Sequence, residues 1–165
     1  MIYLICGQNS DQELLDICRP KTTDTTLWSN FLAFTNHRNV LYSYDFYTKA
    51  TKQILPNRVN IIFTQQNKKG IPPIMNAIIE NRINQVISIY QGKVDDIYII
   101  GDKDLVDLFY KAADYLIVYS TDELPSCDLS IFDAINFAHY NILKKEEVEG
   151  HKIEYFVKVK TTLGL

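Results

Sequence analysis

Apolar runs of strand length recur along the chain, separated by stretches with helical spacing or turn residues, and this alternation restricts the possible folds more than any other feature of the sequence. Val59-Asn60-Ile61-Ile62-Phe63-Thr64 follows the turn residues Leu55-Pro56-Asn57-Arg58 and is too apolar for an exposed edge. Asp96-Ile97-Tyr98-Ile99-Ile100-Gly101 and Leu116-Ile117-Val118-Tyr119 have the same character. Such runs mark strands buried on both faces of a parallel sheet. Ile2 to Cys6 and Asn39 to Tyr42 read as two more strands.

Helical patterns fall between them. Asp24-Thr25-Thr26 supplies capping residues for a helix with Leu27, Phe31 and Phe34 at i, i+4 and i+7. Phe46 to Ile54 reads as a short helix or turn. Beyond Gly70 and Pro72-Pro73, the spacing of Ile74, Ile78, Ile79, Ile83, Val86 and Ile87 predicts the longest helix. Lys103 to Lys111 places Leu105, Leu108 and Phe109 on one face. Phe137 to Leu143 and Ile153 to Val159, separated by Lys144 to Gly150, read as an antiparallel hairpin. The expected fold is a single α/β domain over residues 1–165, with a mainly parallel central sheet flanked by helices and a C-terminal antiparallel hairpin. Ligands in such a sheet bind beyond the carboxyl ends of the central strands, which draws attention to Tyr42, Ser43, Thr64, Gly101 and Tyr119.

Composition narrows the function. The 165 residues suffice for one domain. Seventeen basic against twenty acidic residues give a net charge of -3, and no basic block exceeds the Lys68-Lys69 and Lys144-Lys145 pairs, so a nucleic-acid partner is not expected. No apolar run reaches the ~20 residues that cross a bilayer, so no membrane partner is expected. The start lacks the positive n-region of a signal peptide. Three cysteines without a C-x-x-C spacing indicate neither a disulfide framework nor zinc, and a reducing cytoplasm is the expected compartment. His37, His139 and His151 have no metal-ligand spacing, so no metal is expected. Sequence patterns of P-loops, Rossmann dinucleotide sites and G-x-S-x-G hydrolases are missing.

The order of the segments resembles dihydrofolate reductase over nearly the full length. Met1 to Ile5 looks like that family's first strand, and Leu55-Pro56-Asn57-Arg58-Val59-Asn60-Ile61-Ile62 looks like its L-P-G-R-x-N-I-I segment. Ile99-Ile100-Gly101 with Phe109 and Ala112-Ala113-Asp114 is similar to its I-G-G-x-x-x-Y-x-x-F-x-x-x-A-D segment, and Asp128 to the aspartate of D-T-x-F-P. The resemblance implies NADPH-dependent reduction of dihydrofolate to tetrahydrofolate, with a buried carboxylate near the start of the first helix assisting protonation. An ungapped count puts Leu27 at that carboxylate, with Phe31 and Thr35 in register; a gapped one puts Asp24 there as proton donor, whereas its alternative role is helix capping. Arg58 matches the arginine that binds the α-carboxylate of the folate glutamate. Ile5, Phe31 and Ile100 match walls of the pterin pocket, and Tyr119 matches a threonine that bonds the acid.

On the cofactor side the resemblance implies that Ser43, Tyr44, Thr64, Gln65, Gly101, Asp102 and Lys103 face NADPH. Several of these depart from the family. Ser43-Tyr44-Asp45-Phe46 stands where a basic residue pairs with the 2′-phosphate, Gly101-Asp102 replaces a Gly-Gly pair joined by a cis peptide, and Asp16 to Thr23 lacks the Pro-Trp of the loop over the nicotinamide. The alternative is a catalytically degenerate member acting as a ligand-binding or interaction module. Reduction of another small substrate, as by the pyrimidine reductases of riboflavin synthesis, is a third, but their glutamate-and-glycine cofactor segment is not evident.

Overall fold

A computed structural model describes residues 1–159. Its ten-stranded mixed sheet is centred on β1 (Ile2–Gln8), which runs parallel to β6 (Ile97–Ile100) on one side and β7 (Tyr115–Ser120) on the other. Beyond β6 lie β3 (Asn39–Ser43), β4 (Val59–Phe63) and β5 (Ala77–Glu80), all parallel. Beyond β7 lie β10 (His151–Lys158) and then β9 (Tyr140–Val148), both antiparallel to their neighbours. The order is therefore β5-β4-β3-β6-β1-β7-β10-β9. The parallel sheet and the closing hairpin are those expected from the sequence.

Alternation along the strands produces two cores. Ile2, Leu4 and Cys6 of β1 join Ile97, Ile99, Leu116 and Val118 on one face, beneath α3 (Ile83–Tyr90) and α4 (Lys103–Phe109). Ile5 joins Val40, Tyr42, Ile62, Ile100 and Ile117 on the other, beneath Leu27, Trp28 and Phe31 of α1 (Thr26–Thr35). That second face carries the cavity described below. Among the described residues, no helix is long and apolar enough to cross a membrane.

Four local expectations are corrected. The run Ile74 to Ile87 is not one helix: Ala77–Glu80 is β5, with Ile78 paired to Ile61, and α3 begins only at Ile83. Asn76 precedes the strand with φ 63°, and the Glu80 carboxylate accepts hydrogen bonds from the Asn81 and Arg82 amides, ending the strand. Apolar residues of a short strand and the helix after it together mimic helical spacing. The longest helix is α1, with ten residues. The hairpin connection is also shorter than Lys144 to Gly150, since β9 runs to Val148 and only Glu149 and Gly150 turn, both at positive φ (53° and 81°), as in a type I′ turn. The stretch after β1 holds a further short strand, β2 (Glu13–Leu15), which pairs with β1 and with β8 (Ser126–Ser130). Finally, the residue that caps α1 is Thr25, whose hydroxyl accepts from the Trp28 amide at 3.2 Å, while Asp24 ends the preceding 3-10 turn Pro20–Asp24.

Candidate functional site

The α1 helix lies across the carboxyl ends of β1 and β6 and encloses a cavity lined by Ile5, Cys6, Gly7, Ile17, Thr22, Leu27, Trp28, Phe31 and Ile100. Only about 10 Å³ remains inside, roughly what one water molecule occupies. The lining carries no carboxyl group. Burial pushes the Cys6 thiol up to about 12, so it stays neutral, and the Thr22 hydroxyl is committed to the Ile17 carbonyl at 2.7 Å. Leu27, 6% exposed, packs with Leu15 against the bare backbone of Gly7. Asp24 is exposed and does not line the cavity, which corrects the gapped placement: the turn Pro20–Asp24 leaves it outside, one residue before the cap.

A second concavity of about 370 Å³ opens where β3 and β4 end against the first turn of α4. Ser43, Tyr44, Asp45, Phe63, Thr64, Gln65, Gln66, Asp104, Leu105 and Leu108 line it. Beneath it the carboxylate of Asp102, 6% exposed, joins three elements. Its Oδ1 accepts from the Leu105 amide at 2.9 Å and caps α4, and its Oδ2 accepts from the Ser43 hydroxyl and, at 3.5 Å, from the Cys18 thiol. Burial raises the Asp102 carboxyl above its ordinary range against the opposing effect of these bonds. Gly101 is required here, because a Cβ on it would stand 2.8 Å from the Ile5 carbonyl oxygen. Among the described residues no peptide bond is cis, that between Gly101 and Asp102 included.

The model of the family described as dihydrofolate reductase matches residues 29–162. The chain belongs to that family. A dihydrofolate reductase of Ureaplasma parvum is 27% identical over 131 residues, which cover 79% of this chain and 80% of that protein. A segregation and condensation protein A of Mycoplasmoides gallisepticum is 21% identical over 134 residues, 81% of this chain but 22% of that much longer one. The solved dihydrofolate reductase from Enterococcus faecalis, complexed with NADP(H) and RAB-propyl, superposes with a TM-score of 0.74 over 97% of both chains at 14% identity. The fold is thus that of the dihydrofolate reductases.

Within this frame the structure brings some of the expected residues together and separates others. Ile5, Leu27, Phe31 and Ile100 share the cavity. Tyr119 is buried beside them in the same core but outside the lining; its hydroxyl donates to Thr26 Oγ1 at 3.1 Å and accepts from Asn30 at 3.3 Å. Its phenol, raised chiefly by burial, therefore serves the first turns of α1. Arg58 is held from three sides, donating to Thr35 Oγ1 at 3.0 Å, to the Pro56 carbonyl at 2.8 Å and to the Leu32 carbonyl at 2.6 Å. Ser43, Tyr44, Thr64 and Gln65, expected from the resemblance to face a cofactor, line the groove at the ends of β3 and β4, with Gly101 and Asp102 behind it, but Lys103 is exposed and does not line it. No lysine or arginine lines that groove, and the start of α4 already holds the Asp102 carboxylate. The residues present do not fit the phosphates of NADPH. Among the described residues, no cluster of three or more metal-ligating side chains occurs.

Sequence reasoning missed Cys6, Gly7, Ile17 and Thr22 in the cavity and Phe63, Gln66, Asp104, Leu105 and Leu108 in the groove, while Trp28 belongs to the gapped register, as the aromatic four residues after Asp24. Ile17 and Thr22 precede α1 in a stretch without periodicity. Leu105 and Leu108 were legible as a helix face, and their place next to the groove follows from Gly101 ending a central strand.

Proposed function

We propose that this member of the family uses its scaffold to bind, as a catalytically degenerate ligand-binding or interaction module, and does not reduce dihydrofolate. Leu27 carries the proposal. Protonation of a pterin needs an acid beside a substrate nitrogen, and the position in register with that acid holds an aliphatic side chain packed into a cavity that is already full.

NADPH-dependent reduction of dihydrofolate is the second reading, and Arg58 favours it. A guanidinium has five N–H groups; the three internal bonds leave one free on each terminal nitrogen, the pair a carboxylate takes up in bidentate fashion. The two readings separate in an assay of NADPH oxidation with and without dihydrofolate, joined to thermal melts with each ligand. The expected result is no dihydrofolate-dependent oxidation and no stabilisation by NADPH, where a ligand at a hundred times its dissociation constant adds ~2.7 kcal/mol. Turnover that Arg58→Ala abolishes would overturn the proposal.

A further inference from the structure

We infer that the free edge of β9 pairs with the same edge of a second copy of this chain, antiparallel about a two-fold axis at Glu146. β9 and the groove at β3 and β4 lie towards opposite ends of the sheet, so this pairing goes beyond the module reading and is independent of what the chain binds or reduces.

β9 closes the strand order, and among the described residues no strand lies on its outer side. Such an edge presents unpaired N–H and C=O groups to any strand that fits them. Its regular part is residues 144–148, because the register against β10 shifts between Tyr155 and Phe156 and leaves Leu143 as an extra residue. Val148 and His151 pair across the turn of Glu149 and Gly150. Val148, Glu146 and Lys144 therefore direct their backbone groups to β10, and Lys145 and Glu147 direct theirs to the free side. Glu146 is the midpoint of this part.

Charge decides which strand fits. Lysines on an edge ordinarily turn other strands away, but here each is matched by a glutamate. On one face of the sheet Glu154 of β10 stands opposite Lys145, and Lys152 opposite Glu147. An antiparallel copy centred on Glu146 sets its own Glu147 opposite Lys145 and its Lys145 opposite Glu147. The alternation of sign already present between β10 and β9 thus continues into the second copy, and each of these pairs exchanges both backbone hydrogen bonds. On the other face the two Glu146 side chains meet at the axis. Each has lysines beside it, since Lys144 Nζ lies 3.7 Å from Glu146 Oε2 within one copy and the Lys144 of the other copy takes the diagonal position. Centring on Lys145 instead would oppose two lysines and run Glu147 against the bulge. The pairing buries little apolar area, so the dimer is reversible, of the class below ~1,200 Å², and salt weakens it.

Sedimentation velocity of the full chain from micromolar to millimolar concentration, in low and high salt, tests this. A monomer–dimer equilibrium is expected, weakened about tenfold or more by salt. Lys145→Glu and Glu147→Lys, both at exposed positions, should each give a monomer, because either change sets like charges opposite one another. Mixed together, the two variants should associate, and the double variant Lys145→Glu/Glu147→Lys should dimerise like wild type, since both restore the opposite signs. A monomer at millimolar concentration in low salt, a dimer that survives both single reversals, or a mixture that does not associate would overturn the inference. Dihydrofolate turnover would overturn the module reading whatever the sedimentation gives, so the two failures are distinguishable.

Discussion

Leu27 rests on the bare backbone of Gly7: a Cβ on that glycine would stand 2.9 Å from Leu27 Cδ1 and 2.6 Å from Leu15 Cδ1. The absence of a side chain at position 7 is thus what lets two leucines close over the end of β1. A carboxylate in place of Leu27 would enter an apolar cavity with space for about one water molecule at most, so Leu27→Asp should cost about 3 kcal/mol or more, from lost apolar burial and desolvation together. A carboxyl so buried has a folded-state pKa above its unfolded one, and its destabilisation therefore grows as pH rises through that value. Urea denaturation at pH 5 and pH 7 checks this. An equally stable variant at both pH values would mean that the cavity opens to water.

Asn60 should be the costliest polar side chain to remove from the β3–β4 pair. It is 1% exposed, accepts from the Tyr42 hydroxyl at 2.6 Å and the Leu55 amide at 2.9 Å, and donates to the Leu55 and Arg58 carbonyls at 2.8 and 3.1 Å. Asn60→Ala strands the buried Tyr42 hydroxyl and both backbone groups of Leu55, at ~1–3 kcal/mol for each group left unpaired. A loss of about 3 kcal/mol is expected in denaturant titration. Because Asn60 also fixes the turn that presents Arg58, any ligand carboxylate bound there should weaken in the same variant.

These two sites show why some of the molecule was legible and some not. Val59 to Phe63 announced itself because a strand covered on both faces needs apolar residues at successive positions, and Leu55-Pro56-Asn57-Arg58 because proline and asparagine are turn residues, whereas the four bonds of the Asn60 amide that hold that turn were not readable. Ile78 and Ile79 misled because a four-residue strand beside a helix copies the helix's spacing. β2 and β8, of three and five residues, are too short to show a period. At α1 the ungapped register to Leu27 was readable, but whether Thr25 or Asp24 caps the helix depends on the conformation of the preceding turn, to which both residue types are suited. The acid at position 102 was visible, whereas its burial was not, since its side-chain partners Ser43 and Cys18 stand 59 and 84 residues away.

Asp102 gives a pH signature. Its carboxyl is raised by burial above its ordinary value, so its contribution to stability is fully present below the unfolded value of about 3.9 and lost as pH rises through the folded one. Asp102→Asn keeps an oxygen to cap α4, asparagine being as good a cap as aspartate, and removes the titration. Wild type should therefore lose stability relative to Asp102→Asn on going from pH 4 toward neutrality, as read from thermal melts in matched buffers. A constant difference across that window would mean that Asp102 stays ionised throughout.

Glu123 should show the opposite sign. Its carboxylate lies at the start of α1, accepting from the Thr26 amide at 3.2 and 3.3 Å, from the Thr26 hydroxyl and from Thr121 Oγ1 at 3.0 Å, with His151 Nε2 at 3.8 Å. Burial raises this carboxyl, but the Thr26 and Thr121 bonds and His151 outweigh it and hold it below its ordinary value. A depressed acid stabilises the fold above its unfolded value of about 4.3 and loses that contribution as pH falls through the folded one. Glu123→Gln retains the acceptor oxygen and removes only the charge. With the side chain 33% exposed, solvent screening keeps the loss at pH 7 under about 1 kcal/mol, within the range of a carboxylate at a helix N-terminus. The difference between wild type and Glu123→Gln should therefore vanish near pH 3 and shrink in high salt. Melts that differ as much at pH 3 as at pH 7 would show that the oxygen geometry, and not the charge, is what Glu123 supplies to α1.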